Sequence, residues 1–551
     1  MREWMLAALL TLGNAATLAA QSEPLLQLQG QPYFGGSMTL HLSGSIGQPA
    51  LIAYGLNPLP LALPVQTGKG PWYVGSLVNL VPVGNIPSDG RIDLPFTMPP
   101  SMPARAGIPI VMQGYVPFAL SNPATLPLDE PYYVPAAATI LQSPNPTEIG
   151  SFGAASAVGD LNGDGVADVV IGAWFEDSAG VDRSGRAYVF WGPALDLVTT
   201  LEPPDPKVFG EFGKGLAVAD LDSDGVDDLV VGEGTGSPAP PQQPGTLYLY
   251  KGGSPFIANR FTTILSEGTG TEYQSFGGIL ATGDFNDDGF LDIAVGLPNL
   301  DQGISNAGRI EVYWGPGFAN FSTIFSPNPG QDDFFGTDLA AADLNGDGIT
   351  DLIESSSRDD VQGVVNVGSI HLFTGPSLSF FKTIDNPLPD GFNSRFGDAV
   401  FGLDLNGDGM DDIITTDERN HAYVFWSPSF ADYHLISRPP DPITGSTAVS
   451  ASFGYFVTAG DVNDDGWNDV VVAEPFALSS QGRVDVSLGP YYATFNWLQD
   501  KIPEAHSEFG WGLLLRDMDG DGRPELLVGS DGATVAGLKS AGRLTIFDLS
   551  P

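Results

Sequence analysis

The chain has 551 residues, no cysteine, and 66 acidic against 22 basic side chains, a formal net charge of −44. Without cysteine there can be no disulfide, thiolate metal site or cysteine nucleophile, and so acidic a surface repels nucleic acid and anionic lipid. His41, His371, His421, His434 and His506 are too scattered to suggest a zinc site built from histidines.

In chain order, residues 1–20 read as a signal peptide. Arg2 supplies a basic start, Met5 to Leu12 an apolar run, and Thr17 to Ala20 a small-residue exit. The run is too short to span a bilayer, although an uncleaved membrane anchor is the alternative. The mature chain is therefore expected to be secreted or associated with the cell surface, and not an integral membrane protein. Residues 22–133 hold alternating segments such as Ser37 to Leu42 and Gly107 to Met112, broken by Pro and Gly. That pattern predicts a small β-sandwich-like domain, joined through the Pro-containing stretch Leu126 to Pro135.

From residue 135 onward one unit recurs seven times. Its marker is a Phe-Gly pair, at Phe152, Phe212, Phe276, Phe335, Phe396, Phe453 and Phe509 with the glycine that follows each. About eight residues later comes an acidic nonapeptide, beginning at Asp160, Asp220, Asp284, Asp343, Asp404, Asp461 and Asp517. Successive starts lie between 56 residues (Asp461 to Asp517) and 64 residues (Asp220 to Asp284) apart. A period of this length signals a repeat architecture. In the first unit Gly153 to Gly159 precedes the acidic loop and Asp168 to Gly172 follows it. A variable loop, Ala173 to Gly185, then leads to Arg186–Trp191 and to a last strand near Leu195 to Leu201. Four short strands per unit match a propeller blade. The fold class is all-β, a seven-bladed β-propeller over residues 135–551. The seventh unit stops after its third strand, Arg543 to Phe547, and Ala138 to Gln142 resembles the missing fourth strand. Residues 138–142 are thus predicted to complete the last blade and close the ring.

The acidic nonapeptides carry the chemistry. Oxygen-bearing side chains at positions 1, 3, 5 and 9 of a tight loop can converge on one hard cation. Glycine at position 6 permits a turn with positive φ, and the carbonyl of position 7 can add a ligand. Calcium suits such a flexible all-oxygen cage better than magnesium does. The candidate ligands of loop 1 are Asp160, Asn162, Asp164, Val166 (by its carbonyl) and Asp168; those of loop 2 are Asp220, Asp222, Asp224, Val226 and Asp228. Loop 3 offers Asp284, Asn286, Asp288, Phe290 and Asp292, and loop 4 Asp343, Asn345, Asp347, Ile349 and Asp351. Loop 5 offers Asp404, Asn406, Asp408, Met410 and Asp412, and loop 6 Asp461, Asn463, Asp465, Trp467 and Asp469. Loop 7 offers Asp517, Asp519, Asp521, Arg523 and Glu525, where Glu525 stands in the place of the terminal Asp and follows Pro524. Carboxylates this close are expected to raise one another's pKa unless cations offset them. Up to seven calcium ions are the implied cofactors, with no catalytic residues and no other cofactor site.

The Phe-Gly pair, the nonapeptide and the apolar run Val170-Ile171-Gly172-Ala173 together resemble the FG-GAP repeat, which builds the seven-bladed headpiece propeller of integrin α subunits and many exported bacterial proteins. The resemblance covers residues 135–551. It departs from the pattern at Ile353-Glu354-Ser355 and Ile414-Thr415-Thr416, where the last element is altered. Integrin propellers fill only some blades with calcium, whereas all seven units here keep the ligand pattern. The resemblance implies adhesion or recognition of a protein or glycan ligand, on the face opposite the calcium loops. The candidate contact loops are then Trp174 to Gly185, Glu233 to Gly245, Pro298 to Gly308, Ser355 to Gly368 and Phe476 to Gly482, with Trp174 and Phe175 as aromatic anchors. Trp191, Trp314 and Trp426 end equivalent strands and are expected to pack between blades. An extracellular hydrolase or lyase acting on polysaccharide is the competing reading, but the sequence has no G-x-S-x-G elbow and no H-E-x-x-H. A structural envelope or matrix component is the third.

Overall fold

The computed structural model describes residues 138–549, except 235–244, 266–275, 389–392, 440–452 and 493–494, and only strand segments before them. The expected signal peptide and the stretch Leu126 to Pro135 lie outside the described residues. The chain divides into two compact units, residues 1–128 and 129–551.

In the first unit, Leu26–Gly30, Ser37–Ser43 and Arg91–Thr97 pair as one antiparallel three-stranded sheet. Leu77–Asn85, Pro49–Leu56 and Ile110–Tyr115 form a second, and Val65–Thr67 pairs with Gly70–Trp72. The sandwich-like packing expected of this unit concerns side chains outside those described.

The second unit is a seven-bladed β-propeller. Its seven four-stranded antiparallel sheets each follow chain order, first to fourth strand, except the last. There the order is Phe509–Arg516, Glu525–Ser530, Arg543–Phe547 and then Ala138–Gln142, whose Leu141 lies opposite Leu544. A strand from the start of the unit thus completes the final blade and joins the two ends of the propeller. Each first strand touches the first strand of the blades on either side, and Phe509–Arg516 touches Phe152–Gly159, so the ring closes. A closed ring leaves no unpaired sheet edge at the seam.

The apolar core is split into seven layers, one at each joint between blades. One layer combines Val170 and Val189 of blade 1 with Leu229 and Tyr248 of blade 2. Another combines Leu527 and Ile546 of blade 7 with Phe152 and Ile171 of blade 1. Second strands such as Asp168–Ala173 are buried at every residue, which explains their unbroken apolar runs: both faces of the sheet meet a neighbouring blade. Trp191 packs against Phe256 of blade 2 at 5.4 Å between ring centroids, and Trp426 against Tyr492 of blade 6 at 6.5 Å. Trp314 lies against the layer holding Phe373 and Leu378 of blade 4.

The Phe-Gly pair is the staple of each joint. The seven phenylalanines are at most 1 % exposed, and burying such a ring is worth about 1.5–3 kcal/mol. Gly185 pairs with Phe212 of the next blade at φ +86, and a Cβ there would sit 2.2 Å from the Phe212 oxygen. The fifth residue of each second strand faces the Phe-Gly glycine of the blade after it. Where it is Gly172, an added Cβ would lie 2.0 Å from the carbonyl oxygen of Gly213. In blades 4 and 5 the altered element places a hydroxyl there instead. Ser355 Oγ donates to the Gly397 carbonyl, and Thr416 Oγ1 to the Gly454 carbonyl at 2.6 Å. The departure from the repeat pattern therefore replaces a close backbone approach with a hydrogen bond.

Candidate metal loops and their buried counterparts

All seven nonapeptides adopt one conformation. The position-1 carboxylate accepts a hydrogen bond from the position-6 glycine amide in every loop, at 2.7–2.9 Å. These glycines have φ between +84 and +91, a region costly for any residue with a Cβ. The position-7 amide donates to the position-5 carboxylate in every loop, from Val166 on Asp164 at 2.9 Å to Arg523 on Asp521 at 2.9 Å. The backbone thus wraps around its own carboxylates and gathers positions 1, 3 and 5. In loop 2 the ligand oxygens of Asp220, Asp222 and Asp224 lie within 4.8 Å of one another, as do those of Asp517, Asp519 and Asp521 in loop 7.

Position 9 plays a different part. Asp168 is fully buried at the base of the loop. One of its oxygens accepts from the Leu161 amide at 3.1 Å, the other from Gly192 at 2.9 Å, in the turn between the third and fourth strands. Asp228, Asp292, Asp351, Asp412 and Asp469 make the same two contacts. Glu525 reaches the Met518 amide at 2.8 Å, so its longer side chain still serves the base of the loop. Burial pushes Asp168 up to about 6 and Asp412 and Asp469 up to about 7. For Asp168, repulsion from Asp164 and Asp160 adds to that but ranks below burial. The mutual repulsion expected from the sequence is thus the smaller cause.

The donor set fits a hard cation. It consists of oxygens alone, and Asp222 Oδ1 and Asn286 Oδ1, both at position 3, are buried without a hydrogen-bond partner. A buried acceptor left unpaired is costly, and a cation would satisfy it.

The sequence reading missed a second set of acids. Every blade encloses a buried carboxylate away from the nonapeptides, and each is met by protein groups. Glu176 accepts from Tyr188 Oη and lies 3.5 Å from Arg186 Nη1. Glu233 meets Lys207 Nζ at 2.9 Å and Tyr248 Oη at 2.8 Å. Glu311 meets Arg309 and, at 2.7 Å, Tyr313 Oη. Glu354 pairs with His371 Nδ1 at 2.8 Å and accepts from the Gly336 amide at 2.6 Å. Asp417 meets Tyr423 Oη at 2.7 Å and His421 Nδ1 at 3.1 Å. Glu474 lies between Arg438 and Arg483, at 2.7 and 2.9 Å. Asp500 takes Arg543 Nη2 at 2.5 Å and Ser530 Oγ at 3.0 Å. The available signal was the middle residue of each buried third strand: Tyr188, Tyr248, Glu311, His371, Tyr423, Asp485 and Thr545 all carry a polar atom.

Of the candidate contact loops, Glu233 to Gly245 lies mostly outside the described residues. Trp174 and Phe175 lie against each other with centroids 3.9 Å apart. Lys214 Nζ sits 4.9 Å from the Trp174 ring centroid, and the Arg183 guanidinium 5.1 Å from that of Phe175. Phe476 to Gly482 contains a single helical turn, Ala477–Ser480, and Phe476 packs on Trp511 at 5.6 Å. Among the described residues no helix is long and apolar enough to cross a membrane.

Family comparison agrees with this architecture. The FG-GAP repeat matches residues 152–190, 212–250 and 335–373, and the FG-GAP-like repeat matches 284–353, 404–472 and 461–528. Chicken (Gallus gallus) integrin alpha-8 is 29% identical over 238 residues, covering 38% of this chain and 21% of the integrin. Integrin alpha-PS2 of Drosophila melanogaster is 29% identical over 216 residues, 35% of this chain and 15% of that protein. Bovine (Bos taurus) phosphatidylinositol-glycan-specific phospholipase D is 30% identical over 216 residues, 35% of this chain and 26% of the phospholipase. The chain thus spans only about a fifth of the length of the curated relatives it matches.

Proposed function

Because the chain belongs to the FG-GAP repeat proteins, with a seven-bladed propeller of the integrin α kind, we propose that it is an exported calcium-binding recognition module. Its metal loops stabilise the disc, and its opposite face meets a protein or glycan ligand outside the cell. The observation that carries this reading is the sevenfold recurrence of one loop conformation around an all-oxygen donor set, with position-3 oxygens left unpaired in loops 2 and 3.

The side chains at positions 1, 3 and 5 would hold each ion, with the position-7 carbonyl and position 9 completing the set. A bound calcium ion supplies positive charge to a cluster that the chain otherwise leaves negative. Position 9 would also tie the ion to its blade through the amides it already holds. Metal that binds the folded loop and not the unfolded chain shifts the equilibrium towards the fold by mass action. The variable loops carry recognition on that scaffold, because their length differs from blade to blade while the strands stay regular.

Metal analysis of the purified chain, followed by protein and glycan arrays with and without chelator, tests both halves. Bound calcium and chelator-sensitive capture of a ligand are expected; metal-free protein with unchanged stability on calcium addition contradicts the reading. A second reading, an extracellular hydrolase, is favoured by the likeness to a phospholipase D. Turnover of polysaccharide or glycolipid substrates in the same assays would select it.

A further inference from the structure

Loop 2 differs from the others in having a lysine beside it. At the residue before the turn that holds position 9, blades 1, 3, 4, 5 and 6 carry Trp191, Trp314, Thr374, Trp426 and Leu488; blade 2 carries Lys251. Its ammonium contacts Asp222 Oδ2 and lies 2.9 Å from Asp224 Oδ2. These are position-3 and position-5 oxygens of the cluster completed by Asp220. Loop 7 is the other loop with an aspartate at position 3, and it offers a contrast. Its basic residue, Arg523, turns outward to Asp464 of loop 6, at 2.7 Å.

We propose that Lys251, seated between Asp222 and Asp224, is a tethered cation that competes with the divalent ion for loop 2, so that this loop fills last of the seven. The proposal rests on the calcium reading above. A divalent ion entering loop 2 must displace an ammonium held by two charge-assisted hydrogen bonds, and the like charges repel at short range. The lysine side chain is 49 % exposed on a flexible stem, so it can swing into solvent. The result is a weakened site rather than a blocked one. Loop 2 has carboxylates at four ligand positions (Asp220, Asp222, Asp224 and Asp228), one more than the five loops with asparagine at position 3 have at theirs. The lysine charge returns it to the balance of those loops when no ion is bound.

The test is calorimetric titration of calcium into the chelator-stripped full-length chain, for the wild type, Lys251→Met and Asp220→Ala. Lys251 is on the surface, so its replacement leaves the core intact, and thermal melting of each variant without calcium checks this. The wild type is expected to show one step at least tenfold weaker than the rest, and Asp220→Ala to lose that step. Lys251→Met should tighten it about tenfold, equivalent to about 1.4 kcal/mol, and add one ion to the count retained at limiting calcium. Coincident isotherms for wild type and Lys251→Met, with calcium taken up by both, overturn the role of the lysine and leave the calcium reading standing. A weak step that survives in Asp220→Ala overturns its assignment to loop 2. No uptake by either protein overturns both.

Discussion

The propeller holds two rings of carboxylates, and it neutralises them in opposite ways. The nonapeptide acids at positions 1, 3 and 5 are partly or fully exposed and receive hydrogen bonds from the loop's own amides, as Asp160 does from Gly163 and Gly165. The acids enclosed within the blades, from Glu176 to Asp500, each meet a tyrosine, histidine, lysine or arginine side chain. A buried carboxylate needs a partner fixed in the fold, because desolvation is otherwise prohibitive. A surface carboxylate can wait for one from solution. The difference teaches where the protein's stability should depend on what is dissolved around it and where it should not.

The largest effect expected from that contrast is chelation. One site filled at a hundredfold excess over its Kd contributes about 2.7 kcal/mol, and several loops acting together contribute a multiple of it. Removing calcium should lower the melting temperature by tens of degrees, and adding it back should restore it. Magnesium at equal concentration should restore less. Differential scanning calorimetry reads the shift directly.

The buried ring should respond to mutation and not to chelator. Arg543 is 1 % exposed and holds Asp500 within the core. Arg543→Met removes the ion-pair partner of that buried acid and should cost about 3–5 kcal/mol, equally with and without calcium. A loss that calcium repairs would mean that the two rings are coupled. A smaller effect is expected at Thr416, whose hydroxyl serves the Gly454 carbonyl across the joint. Thr416→Val leaves a buried acceptor unpaired, a loss of about 1–3 kcal/mol. Denaturant melts would resolve either change.

The same contrast explains what the sequence could disclose. The surface ring was legible because one chemistry is written seven times in one spacing, and the Phe-Gly pair likewise, since the same backbone approach recurs at each joint. The blades were readable from these two markers, and the closing strand from the likeness of Ala138–Gln142 to the fourth strands of other units; it pairs with Arg543–Phe547. The buried ring was hidden because its partners come from different places. Glu233, Asp417 and Glu474 each end their second strand, but Glu176 sits after its second strand, Glu354 inside it, Glu311 within its third and Asp500 before blade 7, so no single spacing links all seven. The role of position 9 was also only half visible, because its bond to Gly192, or to Ser427 in blade 5, crosses a gap that no local pattern records. The substitutions at Ser355 and Thr416 looked like decay of a motif, yet each hydroxyl bonds the glycine carbonyl next door.

The smallest predicted effect concerns an acid that belongs to neither ring. Asp398 follows the Phe-Gly pair of blade 5, partly open to solvent, with a carboxyl pushed up to about 7. Desolvation is the main cause, Glu418 adds to it, and Arg395 opposes it. An acid whose pKa is higher in the folded than in the unfolded state binds more protons when folded between those two values. Its contribution to stability therefore falls as the pH rises from about 4 to about 7. Asparagine keeps the shape and cannot ionise. Asp398→Asn should be indistinguishable from the wild type near pH 4 and more stable at pH 8, by about 1 kcal/mol once partial solvent access is allowed for. Paired melts across that range with calcium held constant would show the two curves separating as the pH rises. Curves that stay parallel, or separate in the acid range, would place Asp398 with the paired acids, for which Arg395 is the obvious partner.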